Sequence, residues 1–491
     1  MTGTHFFPFR PFKKHSQLPL YPGKLLPVKR TFFSKTALFI FILCTSAYSA
    51  ANGAHSTASL YQPETVQTEK TAFSPDHPGG LSLSVNHFGL AFGHVPRLNG
   101  IRINYRDQNL REINGINITL RSPKNESHGI VRGLALGLPA TGGGHIAGIS
   151  AAVAVIQANH SLSGITVAGL GFGAGDHISG INIAGLGFGA GGSINGLNFS
   201  FLGMGAGESI TGISFAGLGF GAGSNISGIN IAGLGFGATD HVTGINFAGL
   251  GFAAGESATG MNIAGLGLGG GETVKGLNLA GLAMGAGENI KGLNIAGAGI
   301  GSGENITGIN LAGLAMGAGE NIKGVNIAGA GIGAGENITG INISVIAMGS
   351  GNNISGINLS GFGMGAGHDI RGLSMAGFGI ASGNTIKWVA VSGAAIASPG
   401  LQGFAASPVI QISHNASGFL LAPAYLRIKH GDLNGLGISV FNDIRGHQNG
   451  VVIGIFNYSR SLKGVQIGVL NYAANNPKGL RLLPGINARL R

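Results

Sequence analysis

Glycine returns every sixteen residues along the middle of this chain. Gly164, Gly180, Gly196, Gly212, Gly228, Gly244, Gly260, Gly276, Gly292, Gly308, Gly324, Gly340, Gly356 and Gly372 keep the interval, and Trp388 takes the next slot. A short period held over fourteen units marks a repeat architecture, in which each unit buries its apolar side against its neighbours. It excludes a helical chain, because glycine makes up 94 of the 491 residues and each interior glycine costs a helix about 1 kcal/mol relative to alanine. Collagen is excluded by the period and by a proline count of only 16, since its triple helix needs glycine every third residue and abundant proline. A disordered chain is low in apolar residues and high in charge. Here charged residues are 10% and apolar residues 44%.

The unit 308–323 shows the pattern inside one repeat. Large apolar residues stand one, three, six, eight and fourteen places after the leading glycine: Ile309, Leu311, Leu314, Met316 and Ile322. Alternation at one and three, and again at six and eight, is the signature of strands. The parity breaks at Ala312-Gly313. Two short strands per unit, meeting at a glycine bend and closed by a Gly-Glu-Asn turn, follow from this spacing.

Looser units flank the regular tract, led by Gly100, Gly115, Gly133 and Gly148 before it and by Gly403, Gly418, Gly435, Gly450, Gly464 and Gly479 after it. The expected organisation is irregular capping repeats over 81–163, regular repeats over 164–387, and a second irregular cap over 388–491. A polar, turn-rich linker covers 51–80. Residues 1–50 read as an export signal: seven Lys and Arg with no acid, the apolar run Ala37-Leu38-Phe39-Ile40-Phe41-Ile42-Leu43, then small residues around Ala47-Tyr48-Ser49. The only cysteine, Cys44, lies inside that signal, so disulfide and thiolate chemistry are not expected of the mature chain.

The formal charge of +11 is unevenly spread. The regular tract is acidic, with ten acids against five bases, and residues 388–491 carry nine bases against two acids. Without the signal the chain lacks the concentrated basic stripe of a nucleic-acid binder, and none is expected as a partner.

Two architectures bury the pattern. The first is an all-β, parallel β-solenoid of sixteen-residue coils, stacked about 4.8 Å apart, with the Ile, Leu, Phe and Met side chains filling a narrow interior. Its outer faces of Gly, Ala, Asn and Thr would be flat and nearly uncharged. The second is an antiparallel transmembrane β-barrel, with the large residues facing lipid and the Gly and Asn positions facing the lumen. Residues 164–211 resemble 212–259, a duplication of three units. Copying three strands inverts everything downstream in an up-and-down barrel, whereas a solenoid accepts any number of coils. The solenoid is the expected fold.

Few residues suggest chemistry. Asparagine follows the leading glycine by two places in most units, and Asn278, Asn294, Asn310, Asn326 and Asn342 form the clearest run. Stacked in register, their amides make a structural ladder. Glu288, Glu304, Glu320 and Glu336 repeat near the turn and are the candidate Ca²⁺ ligands, carboxylate oxygens being what that ion takes. The Gly-Gly-x-Gly-x-Asp pattern of calcium-binding β-rolls is absent. The glycine runs lack the Gly-Lys-Ser/Thr of a phosphate loop. The histidines show no HExxH, and no Ser/His/Asp set stands out. No catalytic residue and no cofactor are expected.

The segments Gly450-Val-Val-Ile-Gly-Ile-Phe-Asn457-Tyr458, Gly464-Val-Gln-Ile-Gly-Val-Leu-Asn471-Tyr472 and Leu482-Leu-Pro-Gly-Ile-Asn487 close the chain, and Leu98-Asn-Gly-Ile-Arg-Ile-Asn-Tyr105 stands near its start. Over roughly 95–491 the chain resembles a family of bacterial surface-repeat proteins, with Gly-h-Asn/Gln-h-Ala-Gly units (h, apolar) and a Leu-Pro-x-h-Asn ending. The resemblance implies export to the cell surface or outer membrane and no known catalysis. The chain departs from it in glycine content and in its last residues, Arg489 and Arg491. The expected function is that of an exported, non-enzymatic scaffold or adhesion element, with the cell envelope or another protein surface as partner and membrane association as one form of it. A membrane barrel, acting as a channel, is the alternative.

Overall fold

The computed structural model describes residues 79–107, 110–121, 123 and 128–490. The expected export signal and the linker up to residue 78 lie outside the described residues. Gly79 and Gly80 open the first strand.

Each sixteen-residue unit forms one coil of two strands. Around Gly308, Asn305–Ala312 is extended over eight residues and Ala315–Ala318 over four, with bends at 313–314 and 319–320. The leading glycine is therefore the middle of the longer strand. Its φ of 118° kinks that strand, and side chains rarely adopt this region.

In the regular tract every strand pairs in parallel with its equivalent in the next coil. Gly308 lies opposite Gly292 on one side and Gly324 on the other, and Met316 lies between Ile300 and Ile332. The bends join the ladder too: Glu320 N donates to Glu304 O at 2.8 Å, and Leu314 N to Ala298 O at 2.8 Å. The fold is a parallel β-solenoid, and the barrel alternative is overturned, because a barrel of this kind needs antiparallel neighbours. Among the described residues antiparallel pairing is confined to the two ends. Gly79–Val85 folds on Phe88–His94 through Asn86 and His87, whose positive φ values of 51° and 67° suit a tight hairpin. Leu482–Arg489 lies back on Asp432–Ala473.

The interior differs from the expected one. Ile306, Asn310, Ala312, Met316 and Ala318 point inward and are buried. Ile309 and Leu314 are exposed and Leu311 is half-exposed. The strand keeps its alternation across the kinked glycine, so once Ile306 is inside, the places two and four after Gly308 are inside as well. Those places belong to Asn and Ala, not to the large residues. The core is a stack of columns: Ile178, Ile194, Ile210 and Ile226 form one. Phe220, Phe236 and Phe252 form another, their rings 4.7 and 4.8 Å apart, which is the strand spacing itself.

At the N-terminal end Arg102 occupies the asparagine column. Its guanidinium bonds Asn117 Oδ1 at 2.9 Å and Val95 O at 2.8 Å and ion-pairs with buried Asp107. Burial pulls its pKa down to about 10, so the cap holds its charge by pairing it, as a buried ion requires.

The leading glycines are fixed by distance as well as by φ. A Cβ on Gly292 would stand 2.1 Å from Gly276 O, whereas one on Gly301 meets nothing within 4 Å. Gly292→Ala should cost about 3–5 kcal/mol, from strain and overpacking together. Gly301→Ala should be neutral or stabilising by up to about 1 kcal/mol. Denaturant midpoints of the two variants check this, and equal midpoints would contradict it.

Candidate functional site

The structure places Asn278, Asn294, Asn310, Asn326 and Asn342 inside the coil stack, fully buried. Each Nδ2 donates to Oδ1 of the equivalent residue one coil on: 2.7 Å from Asn278 to Asn294, 2.7 Å from Asn294 to Asn310, 2.8 Å to Asn326, 2.7 Å to Asn342 and 2.8 Å to Asn358. The run starts at Asn230 and ends on Ser374 Oγ. A shorter run links Asn182, Asn198 and Ser214. Because every amide donates forward, the first acceptor of each run is left over. Asn182 Oδ1 and Asn230 Oδ1 have no partner among the described residues. These amides bond one another and offer no ligand a reading face.

Glu288, Glu304, Glu320 and Glu336 sit on the outer bend, one above another. Oε2 of Glu304 accepts from Asn289 and that of Glu320 from Asn305, both at 3.5 Å. Among the described residues no three His, Cys, Asp or Glu side chains converge to hold a metal ion. A second asparagine ladder runs beside this row with the opposite polarity: Asn305 donates back to Asn289, Asn321 to Asn305, Asn337 to Asn321 and Asn353 to Asn337, at 2.9–3.2 Å. Asp369 ends it. Burial alone would raise its pKa, but hydrogen bonds from Arg371, Asn384 and the Thr385 amide, with the charge of Lys387, hold its carboxyl below the usual value.

Two clusters escaped the sequence reading because their members are far apart in it. The rings of His145 and His160 stack at 4.8 Å, and His160 Nδ1 lies 3.1 Å from Asp176 Oδ2. Near the C-terminus Tyr425 stacks on Phe441 at 5.5 Å beside Asp443, which pairs with Arg427 and Arg445. Burial, then the bond to Asp443, pushes the Tyr425 phenol up. Both clusters are held by their own partners.

The outer surface carries the larger signal. On the outward side of the long strands, the places one and three after every leading position from Gly100 to Gly464 are apolar without exception. Ile245 and Phe247 are typical, at 46% and 47% exposure. A third row, Leu218, Leu234, Leu250 and Leu266 among it, borders the face at the first bend. The expected flat outer surface of Gly, Ala, Asn and Thr is therefore corrected: one outer face is a ladder of Ile, Leu, Val, Phe and Met. At ~4.8 Å per coil it runs about 110 Å, and at some 10–15 Å wide it exceeds the 300–600 Å² of the largest patch on a typical monomer. All Asp, Glu, Lys and Arg residues of 164–387 lie elsewhere, between the second bend and the residue before the leading glycine.

Comparison of this chain with protein-family models, with curated proteins and with solved structures finds no match.

Replacing Ser214 by Asn should join the two ladders by giving Asn230 Oδ1 its missing donor. The expected gain is about 1 kcal/mol, read as a higher denaturant midpoint, and a lower midpoint would contradict the ladder's directionality. Asp369→Asn tests the other end by pH. A depressed carboxyl stabilises the fold above its unfolded value near 4 and loses that contribution as pH falls through its lower folded value. The variant should be less stable than the parent at neutral pH, and the difference should vanish in acid. A gap that persists at pH 2 would contradict this.

Proposed function

We propose that this protein is an exported, non-enzymatic structural element of the cell envelope or surface, a scaffold or adhesion module that works through its apolar face. The observation behind the reading is the combination of a long in-register coil stack with an outer face that is apolar throughout. Such a face on a soluble monomer is unfavourable to hydrate and marks an interaction surface. The inner and outer asparagines bond one another from coil to coil, and Asp369 and Asp443 are ion-paired with bases of neighbouring coils. The resemblance of both chain ends to bacterial surface-repeat proteins points the same way, as does the basic and apolar start of the sequence.

Fractionating cells that make the full chain, with and without detergent, tests the proposal. The expected result is retention with the envelope and release only by detergent. Recovery as a monodisperse species in the aqueous fraction would overturn it.

A further inference from the structure

The apolar face has a border, and the border says what covers it. The residue immediately before each leading position lies outward on the same strand, on the other side of the glycine kink. From Asn99 to Lys463 that column is Ser, Thr, Asn, Gln, Ala, Lys and Arg, with no acid. All five bases of the regular tract, Lys275, Lys291, Lys323, Arg371 and Lys387, stand in it. They stack with their neighbours in register, Lys275 opposite Lys291 and Arg371 opposite Lys387. The acids of the tract sit two or three places further back, nine of the ten on the second bend. Arg371 and Lys387 are drawn to Asp369, so the positive charge on this edge of the hydrocarbon-like face is concentrated at Lys275, Lys291 and Lys323.

Trp388 marks the same edge. It is the only tryptophan of the chain and stands in the glycine column, between Gly372 and Gly403. Its φ is 88°, a region that bulky side chains rarely occupy and that carries strain. The residue is 74% exposed. Packing within the chain does not account for a strained, exposed indole where every preceding regular coil has glycine. An indole prefers the boundary between hydrocarbon and water, and this position is such a boundary.

We infer that the apolar face is covered by lipid, and that the solenoid lies flat in the interface of an anionic membrane with Trp388 as an anchor. The inference rests on the reading proposed above and names the surface it meets. A protein partner fits less well. Protein interfaces carry roughly one hydrogen bond per 100–200 Å², and the two rows of this face hold no polar side chain to make one. Lipid asks for no such partner. The backbone of the face is already paired coil to coil, so burial in acyl chains leaves no amide unsatisfied. At about 110 Å the face is far longer than the ~30 Å hydrocarbon core, so the rod lies along the surface and does not cross it. The basic edge then meets the headgroups.

The purified chain, exchanged from mild detergent into phosphatidylcholine vesicles with or without phosphatidylglycerol, tests this with Trp388 as the probe. The expected result is flotation with the vesicles and a blue shift of the tryptophan emission, stronger with the anionic lipid and weakened by salt. Replacing Lys275, Lys291 and Lys323 together by Gln should weaken partitioning onto anionic vesicles on the order of a hundredfold and leave phosphatidylcholine vesicles unaffected. Trp388→Gly should float less while melting at a higher temperature than the parent, a pair of opposite shifts that a structural role for the indole does not produce. Ile245→Glu with Phe247→Glu, both outward, should keep the β-type circular dichroism and lose flotation. A folded parent that ignores both vesicle types overturns the inference, and sedimentation as a stable dimer in that case gives the face to a second copy. If the chain then still needs detergent for release from cells, the envelope reading stands without lipid. If the chain floats with vesicles but is aqueous in cells, the envelope reading falls instead.

Discussion

The structure depends on one constraint: each residue lies directly over its equivalent sixteen places away, at the distance of a backbone hydrogen bond. Strands alone do not demand this, since they tolerate irregular connections between them. In the regular tract the bends are in the ladder as well, so no part of a coil there drifts from register, whereas the flanking coils shift register at Gly143–His145 and Ala422–Tyr425. A ladder of this kind carries carbonyls past one another at each kink, and a Cβ at Gly276, Gly308 or Gly324 would stand 2.0 Å from the oxygen of the preceding coil. Glycine is selected there by contact, and the sixteen-residue period is the trace of that contact in the sequence.

Register also dictates what can be inside. Columns of identical residues must stack on themselves at about 4.8 Å, which suits side chains that attract their own kind. Phenyl rings do so face to face, and carboxamides do so as donor and acceptor. Buried polar groups cost stability when unpaired, and the asparagine column meets that requirement by pairing with itself, leaving a loose end only where a run begins. Arg102 with Asp107 closes the column at one end of the rod, and Ser374 ends the main run towards the other.

The period, the strand character, the break between the two strands and the stacking of coils were legible in the spacing, because each follows from alternation and from glycine at fixed places. Which side of the strand faces inward was not. Alternation separates Ile309 and Leu311 from Asn310 and Ala312, but it does not say which pair is buried. Hydrophobicity taken alone put Ile309 inside. The sign was present in Ala312 and Ala318, small residues repeated coil after coil with the parity of Asn310 and Met316, as a narrow interior requires. The barrel reading had lipid facing Ile309 and an enclosed Asn310, with the wrong strand pairing. The clusters around His160 and Asp443 were not legible at all, since their members meet only through the superposition of coils.

Exposing the large residues is a definite cost, because burying one Ile or Leu side chain stabilises a fold by about 1.5–3 kcal/mol. A chain that places asparagine inside and isoleucine outside in coil after coil gives up that stabilisation many times over. Trp388 adds backbone strain to the same side of the balance. Neither feature improves the packing of the rod, whose interior and ladders are complete without them. Both make sense when the outer face and its edge are surfaces to be covered, so that the stabilisation absent from the isolated chain is gained on contact. A rigid, in-register rod is the form that makes such contact cumulative: each coil contributes two or three side chains to the same plane, and the affinity grows with the number of coils rather than with the quality of any one site.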